Sequence, residues 1–454
     1  YAATQRTAQH VSLAETGNDA VSPAPTFAPT FRHAIVIGAG IAGAAIAERL
    51  AQRGWRVTLL ERRAAPAQAA SGNPVGVLLP LLARDDAPGA QLSRACYLYA
   101  LRRLAALPAV RWSPCGVLQI ADDAAHEAQQ RALIAKHGWP ADYATVLDQA
   151  AAEALVGRPL AHGGVHFPGG GWVDPRSLCH ALLAAGGERI IAHYGVDIAR
   201  LQHSDSSGGW QVFDAAGQLI ASAPNVILAN AQDAATLLEA SLLYPLPLTL
   251  TPIRGQISFL PQLTGGLTGD LPPPRAVLCR SGYLAPITND GLDGGQVGNF
   301  CVGASFDRDD NDLTPRMSDH AGNLQRLEEL LPGATQGIDA GALNGRVGIR
   351  AATRDRLPLV GPLPAPLTAR QATQVTLATL PRLPGLHALL GLGARGMVWA
   401  PLVAEHLASQ LCDEPSPLER PLARLLDPAR FYLHRLRRLP PDDDAAPHAA
   451  SQNL

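Results

Sequence analysis

A chain of 454 residues that is 47% hydrophobic and 17% charged is long enough for two or three domains with a large core, which excludes a chain disordered beyond its ends. A formal net charge of −2 gives no chain-wide basic field, although a local basic patch for nucleic acid stays possible. Six scattered cysteines without a C-x-x-C pair argue against zinc and against a disulfide framework and fit a reducing cytoplasm, and no apolar stretch reaches the length of a transmembrane helix. No signal peptide is expected, and a start at Tyr1 rather than Met reads as a piece of a longer product.

In chain order, residues 1–30 are rich in Ala, Thr, Ser and Pro without periodicity and read as a flexible linker or tail. The run His33-Ala34-Ile35-Val36-Ile37 predicts a strand, followed by Gly38-x-Gly40-x-x-Gly43, an alanine-rich helix from about Ala42 to Arg53, and a second strand Arg56–Glu61 ending in an acid. Strand, glycine turn, helix, strand and carboxylate in this order make a dinucleotide site. Gly38 permits the tight turn, Gly40 lets backbone approach a pyrophosphate, Gly43 lets the helix pack on the strand, and Glu61 accepts from a ribose. The helix N-terminus adds N–H donors and a positive dipole end for the phosphates.

A loop at residues 69–74 precedes apolar residues 75–82. Helical patterns follow at Gln91–Leu107 and Ala121–His137. Residues 163–171 read as a glycine-rich turn, and Asp174 with Pro175 as an N-cap and first position of a helix. Short strands are expected over 190–220, a buried strand at 226–231, an antiparallel sheet over 246–306, and a helix at Leu324–Leu331. A strand at Leu386–Gly391 and a helix at Met397–Leu411 form a second strand–glycine–helix unit, expected beside the first, with a smaller antiparallel domain between them in sequence.

Four further segments carry chemistry. The turn Gly391–Met397 opens a helix whose N-terminus either stabilises negative charge at a flavin edge or is a plain turn. If 345–361 is extended, Arg346, Arg350 and Arg354 share a face; they offer either a fork for a substrate carboxylate or structural ion pairs, such as Arg354 or Arg356 with Asp355. Tyr283 beside Gly282 donates to a carboxylate, stacks on a base, or is a half-buried core tyrosine. The tail Arg430–Arg438 interleaves basic and aromatic residues, as an RNA contact or as a solvated terminal charge run. Histidines at 162, 166, 180, 193 and 203 show no metal spacing, and no metal is expected.

Together these motifs resemble the FAD-dependent oxidoreductase modules of the bifunctional tRNA 5-methylaminomethyl-2-thiouridine biosynthesis family, within the glycine oxidase and D-amino acid oxidase group. The similar segments include Ala70-Ser71-Gly72-Asn73-Pro74, Gly171-Trp172-Val173-Asp174-Pro175, Arg254-Gly255-Gln256, Gly282-Tyr283-Leu284, Gly303-Ala304-Ser305-Phe306, Ala352-Thr353-Arg354-Asp355 with Leu357-Pro358, Gly393-Ala394-Arg395-Gly396, Ala400-Pro401-Leu402 and Asp427-Pro428-Ala429-Arg430-Phe431. Two positions depart from the family pattern: Ala231 stands where Gly usually follows Asn230, and Ala394 where Ser is common.

The resemblance implies a D-amino acid oxidase-like α/β fold: a Rossmann-like FAD-binding domain (31–84, 170–235 and 346–438) with an interleaved α+β substrate domain (85–169 and 236–345) on a largely antiparallel sheet, and a disordered tail at 439–454. It implies FAD held by Gly38, Gly40, Ile41, Ala42, Gly43, Glu61, Arg62, Ala70, Ser71, Gly72, Asn73, Gly393, Ala394, Arg395, Gly396 and Met397. It makes Arg350 the carboxylate anchor and Tyr283 its partner. The implied substrate is a tRNA wobble uridine bearing a carboxymethylaminomethyl group, and the family's methyltransferase half is expected upstream or in trans. Two other readings remain at this point: a free glycine- or sarcosine-type oxidase, and a flavin-binding partner without turnover, for which Arg350 would point away from the flavin.

Overall fold

The computed structural model describes residues 32–204, 208–241, 248–260, 274–287 and 300–439. The expected linker at 1–30, nearly all of the tail and parts of the 246–306 region lie outside these residues.

The dinucleotide unit forms as its sequence dictates. The strand His33–Ile37 is buried over Ala34–Ile37, the helix Ile41–Gln52 follows from Gly40, and Arg56–Glu61 pairs in parallel with the first strand. Alanines at 44, 45, 47 and 51 are buried, so the helix lies close to its neighbours on nearly every side. The full sheet runs Leu359–Pro364, Arg382–Leu390, Asn225–Leu228, His33–Ile37, Arg56–Glu61, Ile190–Tyr194. All neighbours are parallel except the first pair. The chain leaves His33–Ile37 toward one side and returns on the other, so the carboxyl ends of the central strands open on a switch-point crevice.

The second sheet is largely antiparallel. Its spine is Leu250–Leu260, which pairs in register with Gly345–Thr353 from Leu250 opposite Thr353 to Ser258 opposite Gly345. Phe300–Gly303, Tyr283–Pro286, Val277–Cys279, Val117–Ile120 and Gly164–Phe167 continue it, with one parallel pair between Val277–Cys279 and Val117–Ile120. Gly345–Thr353 belongs to this sheet, so the boundary expected at residue 346 is crossed by a strand. The helix Pro88–Ala105 likewise packs on the rear helix Gly396–Leu411 in the main core, on the FAD-domain side of the expected division.

The rear unit forms as expected, with strand Arg382–Leu390 and helix Gly396–Leu411. Asp174 caps the helix Pro175–Ala185 by accepting from the N–H groups of Arg176 and Ser177. The helix expected at Leu324–Leu331 is longer, Met317–Leu330. Residues 163–171 are not one glycine turn. Gly164–Phe167 and Gly171–Val173 are strands around a short turn. Gly163 and Gly164 are needed because a Cβ would stand 2.2 Å from the carbonyl oxygens of Leu147 and Gln119, so these glycines serve close strand approach.

The basic tail is structural in large part. Its helix Arg430–Leu436 buries Tyr432, Leu433 and Leu436. Arg430 forks onto Asp355 at 2.8 and 2.9 Å, and Arg437 donates to the carbonyls of Ala372 and Val375, while Arg435 and Arg438 are exposed. Asp355 is thus paired with Arg430 rather than with Arg354 or Arg356. All six cysteines are free.

Candidate active site

One cavity of about 1350 Å³ runs from the first glycine turn to Tyr283 and Arg350, larger than the roughly 300–1,000 Å³ of ordinary small-ligand pockets. At one end lie Gly38, Gly40, Ile41, Ala42, Glu61 and Arg62. Gly38 has φ 103°, and a Cβ there would stand 2.7 Å from the Ala229 carbonyl oxygen. At Gly40 a Cβ would meet only the Ser71 hydroxyl, at 3.2 Å, so backbone is open to a ligand. Gly43 does not face the cavity; a Cβ there would lie 1.8 Å from the Gly38 carbonyl oxygen, which is the helix-packing role. Glu61 accepts from the Ala39 N–H at 2.7 Å and the Arg63 N–H at 2.9 Å, which orients its carboxylate and leaves lone pairs for a ribose. Arg62 pairs with Asp233 at 2.9 Å on the rim.

The loop after the second strand closes over the helix start. Ser71 Oγ accepts from the Ile41 N–H at 3.0 Å, keeping its own hydrogen for a phosphate. Ala70 and Asn73 also line the cavity. Gly72 does not; the Arg346 guanidinium lies against it, where a Cβ would be 2.4 Å from Nη2. Arg346 pins this loop by donating to Asn73 Oδ1 at 2.8 Å and to the carbonyls of Gln68 and Ala69.

The second glycine turn reaches the same cavity through Gly393, Ala394, Arg395, Gly396 and Met397. Although far apart in sequence, the two helix starts touch: a Cβ on Gly396 would be 3.1 Å from Ile41 Cγ2. Arg395 donates to the Leu79 carbonyl at 3.4 Å, and burial draws its guanidinium below its ordinary value, with Arg356 adding repulsion.

The three arginines expected on one strand face have different fates. Gly345–Thr353 ends before Arg354, which is exposed in the following turn and leaves the row. Arg346 is tied to the loop. Arg350 lines the cavity, and among the described residues its one hydrogen bond is to the Ser305 carbonyl at 3.3 Å. Burial lowers its guanidinium from the ordinary value, opposed by Tyr283 and Asp307, but an arginine stays charged. A fork of five N–H donors with one long bond has capacity for an anion. Tyr283 lies in the same sheet, beyond Leu250–Leu260 and Phe300–Gly303, its hydroxyl 3.6 Å from Cys301 Sγ. Burial, then Cys301, push its phenol well above the usual value, so at neutral pH it is a donor.

Residue-type reasoning missed several parts. Gly255 is open because the Arg350 guanidinium lies across it; a Cβ would be 2.2 Å from Nη2. Arg254, fully buried, bonds the carbonyls of Asp312 and Thr314 at 2.8 Å each and pairs with Asp319, fixing the segment that follows Phe306. Asn230 Oδ1 and Gln232 Oε1 are buried without a protein partner on the cavity wall. The only signal for these in sequence was their place beside motif residues.

The residues present fit FAD. A two-ended cavity, a backbone cradle at Gly38 and Gly40, an oriented carboxylate, two helix N-termini and two orphaned amide oxygens suit a dinucleotide with a second ring system. No group of His, Cys, Asp and Glu among the described residues is placed to hold a metal, and no described helix is long and apolar enough to cross a membrane.

Among solved structures, glycine oxidase from Geobacillus kaustophilus is similar with TM-score 0.66 and 19% identity, covering 88% of this chain and 99% of that one. Iminodiacetate oxidase from Chelativorans sp. BNC1 is similar with TM-score 0.63 and 23% identity, covering 85% and 97%. These likenesses show the fold. Among curated proteins, the tRNA 5-methylaminomethyl-2-thiouridine biosynthesis bifunctional protein MnmC of Azoarcus sp. (strain BH72) is 46% identical over 93% of this chain and 63% of its own length. The protein of the same name from Paraburkholderia xenovorans (strain LB400) is 44% identical over 89% of this chain and 60% of its length. The chain therefore spans somewhat less than two thirds of these relatives. Residues 33–410 match the family described as FAD dependent oxidoreductase, and the chain belongs to that family.

Proposed function

We propose that this chain removes the carboxymethyl group from 5-carboxymethylaminomethyl-(2-thio)uridine at the tRNA wobble position, giving the 5-aminomethyl form and glyoxylate. The observation that carries the reading is Arg350: a charged, partly buried fork with one long hydrogen bond, in the same cavity as the glycine cradle. The substrate's side chain is an N-substituted glycine, so its carboxylate matches that fork bidentately. Bound FAD supplies a two-electron acceptor for the N–CH₂ group next to the carboxylate, and water adding to the resulting imine carbon breaks the C–N bond, releasing glyoxylate and leaving the aminomethyl nitrogen.

The chain's own residues do the positioning. Arg350 holds the carboxylate, Tyr283 donates its phenol hydrogen to the same group, and the first glycine turn with Glu61 fixes the far end of the cofactor. Such a reaction depends on orientation more than on a general base, in keeping with a cavity wall on which no histidine stands among the described residues. A flavin-binding partner without turnover would have no use for an anion fork in this position. The tRNA substrate is supported by the 46% and 44% identical relatives, whose greater length leaves room for a methyltransferase module upstream or in trans. A cytoplasmic setting suits six free cysteines.

The test incubates the purified flavoprotein with tRNA bearing the carboxymethylaminomethyl group, then analyses the nucleosides. Its loss with gain of the aminomethyl form is the expected result. Rapid flavin reduction by free glycine with unchanged tRNA would assign the protein to small-amine oxidation instead.

A further inference from the structure

Three exposed apolar side chains stand on the wall of the active cavity: Leu81, Phe306 and Leu313, exposed 41, 50 and 51%. Only Phe306 is aromatic. Arg350 Cζ lies 5.9 Å from its ring centroid, so the ring is adjacent to the anion fork while half of it faces solvent. The backbone that carries it is fixed. Ser305 N donates to the Gln256 carbonyl at 3.1 Å, Ser305 Oγ accepts from Gln256 N at 3.0 Å, and the Ser305 carbonyl accepts from Arg350. Beyond it, Arg254 holds the carbonyls of Asp312 and Thr314. An exposed ring on an ordered rim does not serve the core. It presents a flat π-surface in one place, which is what recognition of an unstacked base requires.

We propose that Phe306 is the stacking platform for the substrate's pyrimidine ring. The base lies on the exposed part of the Phe306 ring, and its glycine-like side chain passes the ring edge to Arg350. Phe306 thereby determines specificity: a free amino acid reaches Arg350 but gains nothing from the ring, whereas a base-linked glycine gains both contacts. This inference rests on the function proposed above.

The experiment compares holoenzymes: unaltered, Phe306→Ala and Phe306→Tyr. Each is assayed with tRNA bearing the carboxymethylaminomethyl group and with N-methylglycine, and the ratio of the two kcat/KM values is read. Phe306→Ala is expected to lower that ratio about tenfold, and Phe306→Tyr to keep it within about twofold, because stacking tolerates a hydroxyl. An unchanged ratio in Phe306→Ala, with the tRNA still converted, overturns the stacking role and leaves the proposed function standing. Loss of flavin absorbance from Phe306→Ala also overturns it, by assigning the ring to cofactor packing. Failure of the unaltered enzyme to convert the tRNA sinks the functional reading itself, and the stacking role with it.

Discussion

The two ends of the cavity are built by opposite means. At the glycine end, shape does the work: a Cβ on Gly43 would overlap the Gly38 carbonyl, and Glu61 is already oriented by two backbone N–H groups. At the Arg350 end, charge does it: a guanidinium lies across Gly255 with one long bond to a carbonyl. Arg254 sharpens the contrast. It neighbours Gly255 yet is saturated by two carbonyls, a glutamine and acidic partners, so it builds structure while Arg350 keeps capacity in reserve. A cradle built from backbone binds whatever has the right outline, whereas a poised charge selects for an anion.

That division predicts that the two ends fail separately. Arg350→Ala should cost about 2–5 kcal/mol of binding to the reacting substrate, roughly thirty- to several-thousandfold in kcat/KM, because a carboxylate loses its partner. The flavin spectrum and cofactor content should not change. Arg350→Lys should recover only part, since an ammonium lacks the planar fork. Normal turnover in Arg350→Ala would remove that residue from the site. Gly255→Ala probes the same end without deleting charge. Its methyl would displace the far end of a flexible side chain, so KM should rise about tenfold with little loss of stability. Steady-state kinetics beside a thermal melt checks both halves of that statement.

The same division explains what was legible in the sequence. The glycine end is local: strand, turn, helix and acid lie between His33 and Glu61, so spacing alone gave the architecture and the role of each glycine. The rear turn was legible as a motif, but its contact with the first helix, Gly396 against Ile41, was not, because it arises from strand order. At the Arg350 end, the expected row of three arginines ignored where the strand stops; Arg354 falls past Thr353 and out of register. Distinguishing Arg346 from Arg350 required knowing what lies opposite each, namely the 68–73 loop and Gly255, and pairings of that range leave no local signature. Gly163 and Gly164 misled for a related reason: glycine marks close strand approach as readily as a turn.

Acid should weaken the scaffold shared by both ends rather than either end alone. His406, on the rear helix, is 2% exposed, and burial lowers it from 6.5 to about 4. Burial also lowers His387, in the strand that leads to the rear turn, to about 4. The unfolded chain then binds more protons than the folded one between these values, so stability falls as pH drops through 6.5 and keeps falling to about 4. At about pH 5.5 each buried imidazole should cost about 1 kcal/mol relative to pH 7.5 or so. Urea denaturation at both pH values measures it. His406→Gln should shrink the difference, and an equal loss in that variant would place the acid sensitivity elsewhere.

The smallest expected effect tests whether the cradle is as free of strain as its glycines suggest. Ala231 follows Asn230 in the turn that lies against Gly38, and it has φ 56°, a left-handed conformation that favours Gly. A Cβ in that region costs about 1–2 kcal/mol. Ala231→Gly relieves it but gives the unfolded chain freedom worth about 0.4–1 kcal/mol. The net should be a stabilisation between zero and about 1.6 kcal/mol, or at most about 2 °C in Tm for a chain of this size. Because Ala231, Asn230 and Gln232 line the cavity, the gain should be equal with and without bound flavin if the strain belongs to the turn alone. A gain confined to the flavin-bound protein would mean instead that the strained turn limits how closely the adenine end of the cofactor can seat.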